Sequence, residues 1–321
     1  MTKTYSTRLR HYLKWVFWFL VIQIILANIS AAIYAYKFTH FYDPPAPTVA
    51  SSNIFAKTWR LFVGPTFYKV QNEEKPLFPV ESVKLTTSDG LTLDAWYGSQ
   101  DSAAQCVIFF HGYMVNKSFM NNEAAMFRRW GYNVLMVDFR AHGLSEGRLS
   151  SFGLSEIYDV QSAFQYAKNK GNSKIILYGA SLGAGICLRA AAENQVQPDA
   201  IIADMPYGSL HNHFKARARN LRFPSEPFAS LVTFWIGLER GYKGFSRNVS
   251  SYATRVSCPV LVEWGEKDEF VNEDEVDEIY TSLKSANKKM VKYSQAGHES
   301  LLVCDPVKWS REVGEFVAKG K

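Results

Sequence analysis

Cysteine is scarce: the 321-residue chain has four, at 106, 187, 258 and 304, and none forms a C-x-x-C pair. That excludes a zinc ribbon, a thioredoxin-like redox motif and a disulfide-dense scaffold. Cys106 opens an apolar run and Cys187 lies in an apolar helical stretch, so both read as small buried side chains. Acidic residues are missing from residues 1–37, where Lys3, Arg8, Arg10, Lys14 and Lys37 stand. These five account for most of the formal charge of +6, and the remaining basic residues nearly balance the 30 acidic ones. The main body is therefore not a nucleic-acid binder on charge. No internal repeat is visible. With 47% hydrophobic and 21% charged residues, a disordered or collagen-like chain is excluded.

Charge is also absent between Lys14 and Lys37, across the 22 residues WVFWFLVIQIILANISAAIYAY. As a helix this run would extend roughly 33 Å, enough to cross a bilayer core. Trp15, Trp18, Tyr34 and Tyr36 stand near its ends, where aromatic belts form. Ser30-Ala31-Ala32 offers a small-residue cleavage site. The apolar run, however, is longer than a signal-peptide core, so a retained transmembrane helix over 15–36 is expected. The basic residues before it place segment 1–14 in the cytoplasm and the rest on the far side, periplasmic or extracellular in a bacterium. Residues 37–80, with Pro44, Pro45 and Pro47, read as a stalk and membrane-proximal segment. Its aromatic residues Trp59, Phe62, Phe67 and Tyr68 read as packed on the domain or at the interface.

From residue 81 to 321 the pattern becomes regular. VKLTTSDGLTLDAWYG alternates about Asp89-Gly90, as a β-hairpin does. Short apolar strands follow at 106–110, 132–139, 174–179, 200–205, 259–264 and 290–294. Helical spacing falls between them, at 123–130, 154–170, 182–194, 273–286 and 306–319. The expected fold class is α/β: a mostly parallel sheet covered by helices, with an antiparallel edge at its start. The long interval between the strands at 200–205 and 259–264 predicts an inserted cap at about 207–250, over the strand ends.

Ser181 stands in Gly179-Ala180-Ser181-Leu182-Gly183, between the strand KIILYG and the helix LGAGICLRAAA. That is the setting of a nucleophile elbow. A serine hydroxyl needs a base, and His298 in QAGHES, after the last strand, stands where one is expected. His11 and His40 flank the apolar run, His211 and His213 fall in the cap, and His111 and His142 sit in glycine loops. The base needs a carboxylate to hold its tautomer. Asp268 is favoured, with Asp204 as its rival. The oxyanion donors expected are the backbone N–H groups of Leu182, just after the serine, and Tyr113, in the loop after FFHG. His111 is read as a structural brace.

FFHGYMVNK, VDFRAHGLSEG, YGASLGAG, EWGEKD and AGHES, in this order, resemble the α/β-hydrolase superfamily. The chain is most similar to its serine-aminopeptidase-like and monoglyceride-lipase or lysophospholipase-like members. In Arg140-Ala141-His142-Gly143 an alanine replaces the more usual glycine. The resemblance implies acyl transfer by Ser181, His298 and Asp268 without metal or organic cofactor. The substrate expected is a small-molecule or lipid ester, because the cap interleaves Lys215, Arg217, Arg219, Arg222, Arg240, Lys243 and Arg247 with aromatic residues. A peptidase or amidase using the same triad, and a non-catalytic membrane-tethered scaffold, are the alternatives.

Overall fold

The computed structural model describes residues 2–44, 53–71, 74–100, 104–246 and 248–318. Pro45, Pro47 and Arg247 lie outside the described residues. The chain opens with one long helix, α1 (Thr2–Thr39), followed by β1 (Phe41–Tyr42), α2 (Ile54–Val63) and β2 (Phe67–Tyr68). Then come β3 (Glu81–Thr86), β4 (Thr92–Gly98), β5 (Gln105–Phe110), α3 (Asn121–Arg129), β6 (Asn133–Val137) and α4 (Ile157–Asn169). Next are β7 (Lys174–Ala180), α5 (Leu182–Ala192), β8 (Ala200–Asp204), α6 (Leu210–Asn220), α7 (Phe228–Arg240) and α8 (Val249–Ala253). The chain finishes with β9 (Val260–Gly265), α9 (Glu273–Ser282), β10 (Lys288–Tyr293), α10 (Leu301–Cys304) and α11 (Pro306–Ala318).

Eight strands form one sheet in the order β10-β9-β8-β7-β5-β6-β4-β3. Strands β5 to β10 pair in parallel, while β4 runs antiparallel to both β6 and β3. The central strands are buried along almost their whole length, which is why they read as apolar runs rather than as alternation. Because β5 to β10 are parallel, their carboxyl ends share one edge. The loops after β5, β7, β9 and β10 converge there. Helices α6 and α7 lie in the β8–β9 crossover, as the long interval predicts. Ser209 caps α6 by accepting a hydrogen bond from the Asn212 N–H at 3.1 Å, and Gly241 ends α7 in the left-handed region at φ 70°.

The N-terminal helix is more deeply engaged than the sequence predicts. Its exposed apolar face covers Trp15, Phe17, Trp18, Phe19, Ile22, Ile25 and Ile29, with Trp15 76% exposed. Ala31, Tyr34, Ala35 and Phe38, near its end, are instead buried in the same core as the sheet. Phe38 is 3% exposed and packs on Phe214 of the cap and on Phe67, with ring centres 4.9 and 5.1 Å apart. Helix α2 clamps this end: the Ser30, Tyr34 and Lys37 side chains donate to the carbonyls of Phe62, Leu61 and Gly64. The packed body thus reaches back into α1, well before the residue-81 boundary expected from strand periodicity. Apolar side chains suit a protein core and a bilayer alike, so composition alone does not separate the two halves of this helix.

Candidate active site

Ser181 follows β7 and precedes the first residue of α5. Its backbone is at φ 52° and ψ −109°, a strained conformation for a residue with a Cβ. Two features enforce the turn. The Ser181 N–H donates to the Asp204 carbonyl at 2.8 Å, extending the β7–β8 ladder into the turn. The flanking glycines permit close approach: a Cβ on Gly183 would stand 2.2 Å from the Phe110 oxygen, and one on Gly179 would stand 2.5 Å from the Ala184 nitrogen. A serine under such strain, at the N-terminus of a buried helix, presents its hydroxyl outward with free backbone N–H groups beside it.

His298 lies in the loop between β10 and α10. Its Nδ1 is 2.7 Å from Asp268 Oδ2. Asp268 Oδ1 accepts two further hydrogen bonds, from the Phe270 and Val271 N–H groups at 2.7 and 2.9 Å. An acceptor used on both oxygens acts as a carboxylate, so the imidazole proton sits on Nδ1 and Nε2 is left basic. Ser181 and His298 line one pocket of about 190 Å³, with Gly112, Tyr113, Tyr207, His213 and Arg217. Ser181 Oγ and His298 Nε2 are not hydrogen-bonded to each other.

The rival acid, Asp204, has different partners. Its Oδ2 accepts from the Tyr178 hydroxyl at 3.1 Å, and its Oδ1 is buried without a partner. Burial, then the neighbouring Glu263 and Glu123, push its pKa well above the usual carboxylate range. Glu263, its register neighbour on β9, is pushed by burial to about 8. These two acids, register neighbours on β8 and β9, are buried side by side and their burial favours the neutral form. The sequence offers Asp204 only as the rival partner of His298, and Glu263 gives no sign of its burial, because acids on strands read as solvent-facing.

The loop after β5 carries Gly112 and Tyr113. A Cβ on Gly112 would stand 3.4 Å from the Ser181 Cβ, so this loop passes directly over the serine. His111 braces it from below. Its Nε2 accepts from the Phe139 N–H at 3.1 Å, so its Nδ1 carries the proton and donates to the Gly112 carbonyl at 2.7 Å. Burial lowers its pKa to about 4, which keeps the ring neutral. Lys117, fully buried, ties the same loop to β4 and to the loop after β6 through Asp94 and Asp138, at 2.7 and 2.9 Å. Ala141, where the glycine is more usual, sits at φ 63°, so this departure carries a backbone cost.

Comparison with known proteins agrees with this architecture. Residues 101–248 match the hydrolase family described as serine aminopeptidase, S33, and residues 228–301 match the dienelactone hydrolase family. The chain is 28% identical over 220 residues to an uncharacterized protein, YqkD, of Bacillus subtilis, covering 67% of this chain and 70% of that one. It is 26% identical over 229 residues to an uncharacterized membrane protein of Saccharomyces cerevisiae, YNL320W, covering 71% and 76%. Among solved structures, the Pyrococcus furiosus esterase Pf2001 superposes with a TM-score of 0.64 at 26% identity, covering 78% of this chain and 97% of that one. With its eight-stranded sheet, the matches to hydrolase families and the esterase neighbour, the chain has the α/β-hydrolase fold and is an enzyme of the serine ester hydrolase class.

Proposed function

We propose that the protein is a membrane-anchored carboxylic ester hydrolase in which Ser181 is the nucleophile, His298 the general base and Asp268 its orienting acid. The observation that carries this reading is the strained Ser181 sharing one pocket with an imidazole whose Nδ1 is held 2.7 Å from a carboxylate. His298 Nε2 takes the Ser181 proton as Oγ bonds to the ester carbon. The Leu182 and Tyr113 N–H groups stabilise the oxyanion. The carbon–oxygen bond to the alcohol then breaks and His298 returns its proton to the leaving oxygen. Water adds to the acyl-enzyme carbon, with His298 taking its proton; the carbon–Oγ bond then breaks, His298 returns the proton to Ser181 Oγ, and the carboxylic acid departs. The pocket is smaller than the roughly 300–1,000 Å³ of sites that enclose drug-sized ligands. A short acyl group fits within it.

The aminopeptidase alternative is disfavoured by charge. Among the described residues lining the pocket there is no carboxylate to receive a substrate α-ammonium group, while Arg217 is there to repel one. Anchoring is supported by the exposed apolar part of α1. Its uncharged exposed run from Trp15 to Ile29 measures about 22 Å as a helix, short of a bilayer core of about 30 Å. Ile54, Phe55, Trp59 and Leu61 of α2 are exposed beside the point where α1 leaves the body. They would seat the domain in the interface and make up the difference. Arg10 and Lys14 favour a cytoplasmic N-terminus and a domain on the far side.

The test is turnover of p-nitrophenyl acetate, butyrate and octanoate, and of butyryl p-nitroanilide, by the detergent-solubilised full chain. Ester turnover lost in Ser181→Ala, with the anilide at least a hundredfold slower, is the expected result. Anilide turnover equal to that of the ester would reassign the enzyme as an amidase.

A further inference from the structure

Arg217, on the cap helix α6, has no role in the chemistry above, yet it lines the pocket that holds Ser181 and His298. It packs against aromatic faces on two sides, 5.0 Å from the Tyr113 ring centre and 5.5 Å from that of Phe38. Nε donates to His213 Nε2 at 2.8 Å, and one terminal nitrogen meets Met114 Sδ at 3.7 Å. Among the described residues no carboxylate pairs with it. Arg140, by contrast, is forked between Asp89 and Asp159, and Arg189 pairs with Glu193; Arg128, over the Phe78 ring, also has no carboxylate among the described residues but is not one of those lining this pocket. A guanidinium partly withdrawn from water without a counter-charge is costly, and burial holds the Arg217 pKa below its ordinary value.

His213 adds to the arrangement. Accepting from Arg217 at Nε2 leaves its proton on Nδ1 and the ring neutral. Burial first, then the Arg217 charge and His298, push its pKa well below the ordinary histidine value. His213 and Arg217, one helical turn apart, both line the pocket, and neither brings a negative charge to it. Met205 and Tyr207, on the same wall, bring no negative charge.

We infer that Arg217 is a specificity residue that receives an anionic oxygen group of the substrate, a carboxylate or a phosphate, while the ester carbonyl lies at Ser181. The guanidinium is the counter-charge for a planar or tetrahedral oxyanion group presented from the cap side. Phe38 and Tyr113 hold its plane, so the anion is met by an orientated fork rather than by a mobile chain. The preferred substrate is thus an acidic ester with its charge a few bonds from the scissile carbonyl. This inference rests on the hydrolase reading of Ser181 and His298.

The test compares matched esters on the full chain in detergent. One pair carries the charge on the acyl side, p-nitrophenyl hemisuccinate against p-nitrophenyl butyrate. The other carries it on the alcohol side, butyryl glycerol 3-phosphate against monobutyrin. In at least one pair the anionic ester is expected to have the higher kcat/KM. Arg217→Gln should lower that anionic-to-neutral ratio by tenfold or more, chiefly through KM. Arg217→Lys should restore part of it, since charge returns without the fork. The pair that responds identifies which side of the ester bears the charge. Preference for the neutral member of both pairs, or a ratio unchanged in Arg217→Gln, would overturn the assignment. A second readout does not need catalysis: succinate or glycerol 3-phosphate should raise the Tm of Ser181→Ala and not of Ser181→Ala/Arg217→Gln. Ligand stabilisation without any ester turnover by the native chain would sink the hydrolase reading while leaving the anion site standing. Turnover with no anion preference and no stabilisation would do the reverse.

Discussion

The Tyr113 hydroxyl donates a 2.6 Å hydrogen bond to the carbonyl of Phe38, joining the loop above Ser181 to the last turn of the N-terminal helix. Burial raises the Tyr113 pKa, so the phenol keeps the proton it donates. The same ring stacks on Phe152 at 4.9 Å. The N-terminal helix therefore ends packed behind Tyr113, a residue of the candidate active-site wall.

Truncation should expose this connection. A chain beginning at residue 29 keeps the buried end of α1 and is expected to fold and turn over ester in solution or mild detergent. A chain beginning at residue 41 loses Tyr34, Ala35 and Phe38 from the core and should lose activity. Within the full chain, Phe38→Ala should cost about 3 kcal/mol. Tyr113→Phe should cost about 1 kcal/mol. Thermal melts followed by circular dichroism check both. Equal Tm values for wild type and Phe38→Ala would show that the contact contributes nothing.

Gly183→Ala places a methyl group against the Phe110 carbonyl, where backbone rather than a yielding side chain stands in the way. A loss of about 3 kcal/mol or more is expected, together with loss of activity as the elbow shifts. Gly314→Ala is the control. Its Cβ would meet Trp130 at an ordinary 3.8 Å in α11, and it should be neutral or stabilising. Denaturant unfolding of the two variants separates the site-specific effect from a general intolerance of alanine.

Asp268→Asn should reduce kcat by about 10³-fold or more, because an amide no longer holds the imidazole in the tautomer that accepts the serine proton. Asp204→Asn should have a far smaller effect, since its carboxyl meets Tyr178 and not His298. Steady-state kinetics on a single neutral ester decides between them. Comparable losses in both variants would reopen the assignment of the acid.

The buried acids make stability fall as pH rises. In the native state Glu263 keeps its proton to about pH 8, through burial, whereas in the unfolded chain it ionises near its ordinary value of 4.5. Between these limits the native state binds the extra proton, so folding loses stability with increasing pH across that window. Glu263→Gln retains the acceptor for the Tyr293 hydroxyl, now 2.6 Å from Glu263 Oε1, and removes the titration. Its Tm should fall less than that of wild type between pH 6 and 8.5. Parallel curves would contradict the linkage.

How much of this was legible in the sequence depended on how local the signal was. The strand–turn–helix around Ser181 and the loops carrying Asp268 and His298 could be read because each follows a short apolar strand, and parallel strands bring their ends to one edge. The order of the sheet was not fully legible: β4 sits beside β6 rather than β5, a choice set by packing across the sheet. From the sequence Arg217 is one of many cap charges, since only the fold reveals that its neighbours are Phe38 and Tyr113 rather than a carboxylate. The buried end of α1 was hidden for a related reason. Ala31 to Phe38 would satisfy a bilayer as readily as the core that covers them.

The most direct test of the central claim is covalent. A fluorophosphonate probe is incubated with the full chain, and the labelled peptide is identified by mass spectrometry. Labelling at Ser181 alone, abolished in Ser181→Ala and slowed at least a hundredfold in His298→Ala, is the expected result. Undiminished labelling of Ser181→Ala, or a modified residue elsewhere in the chain, would contradict it.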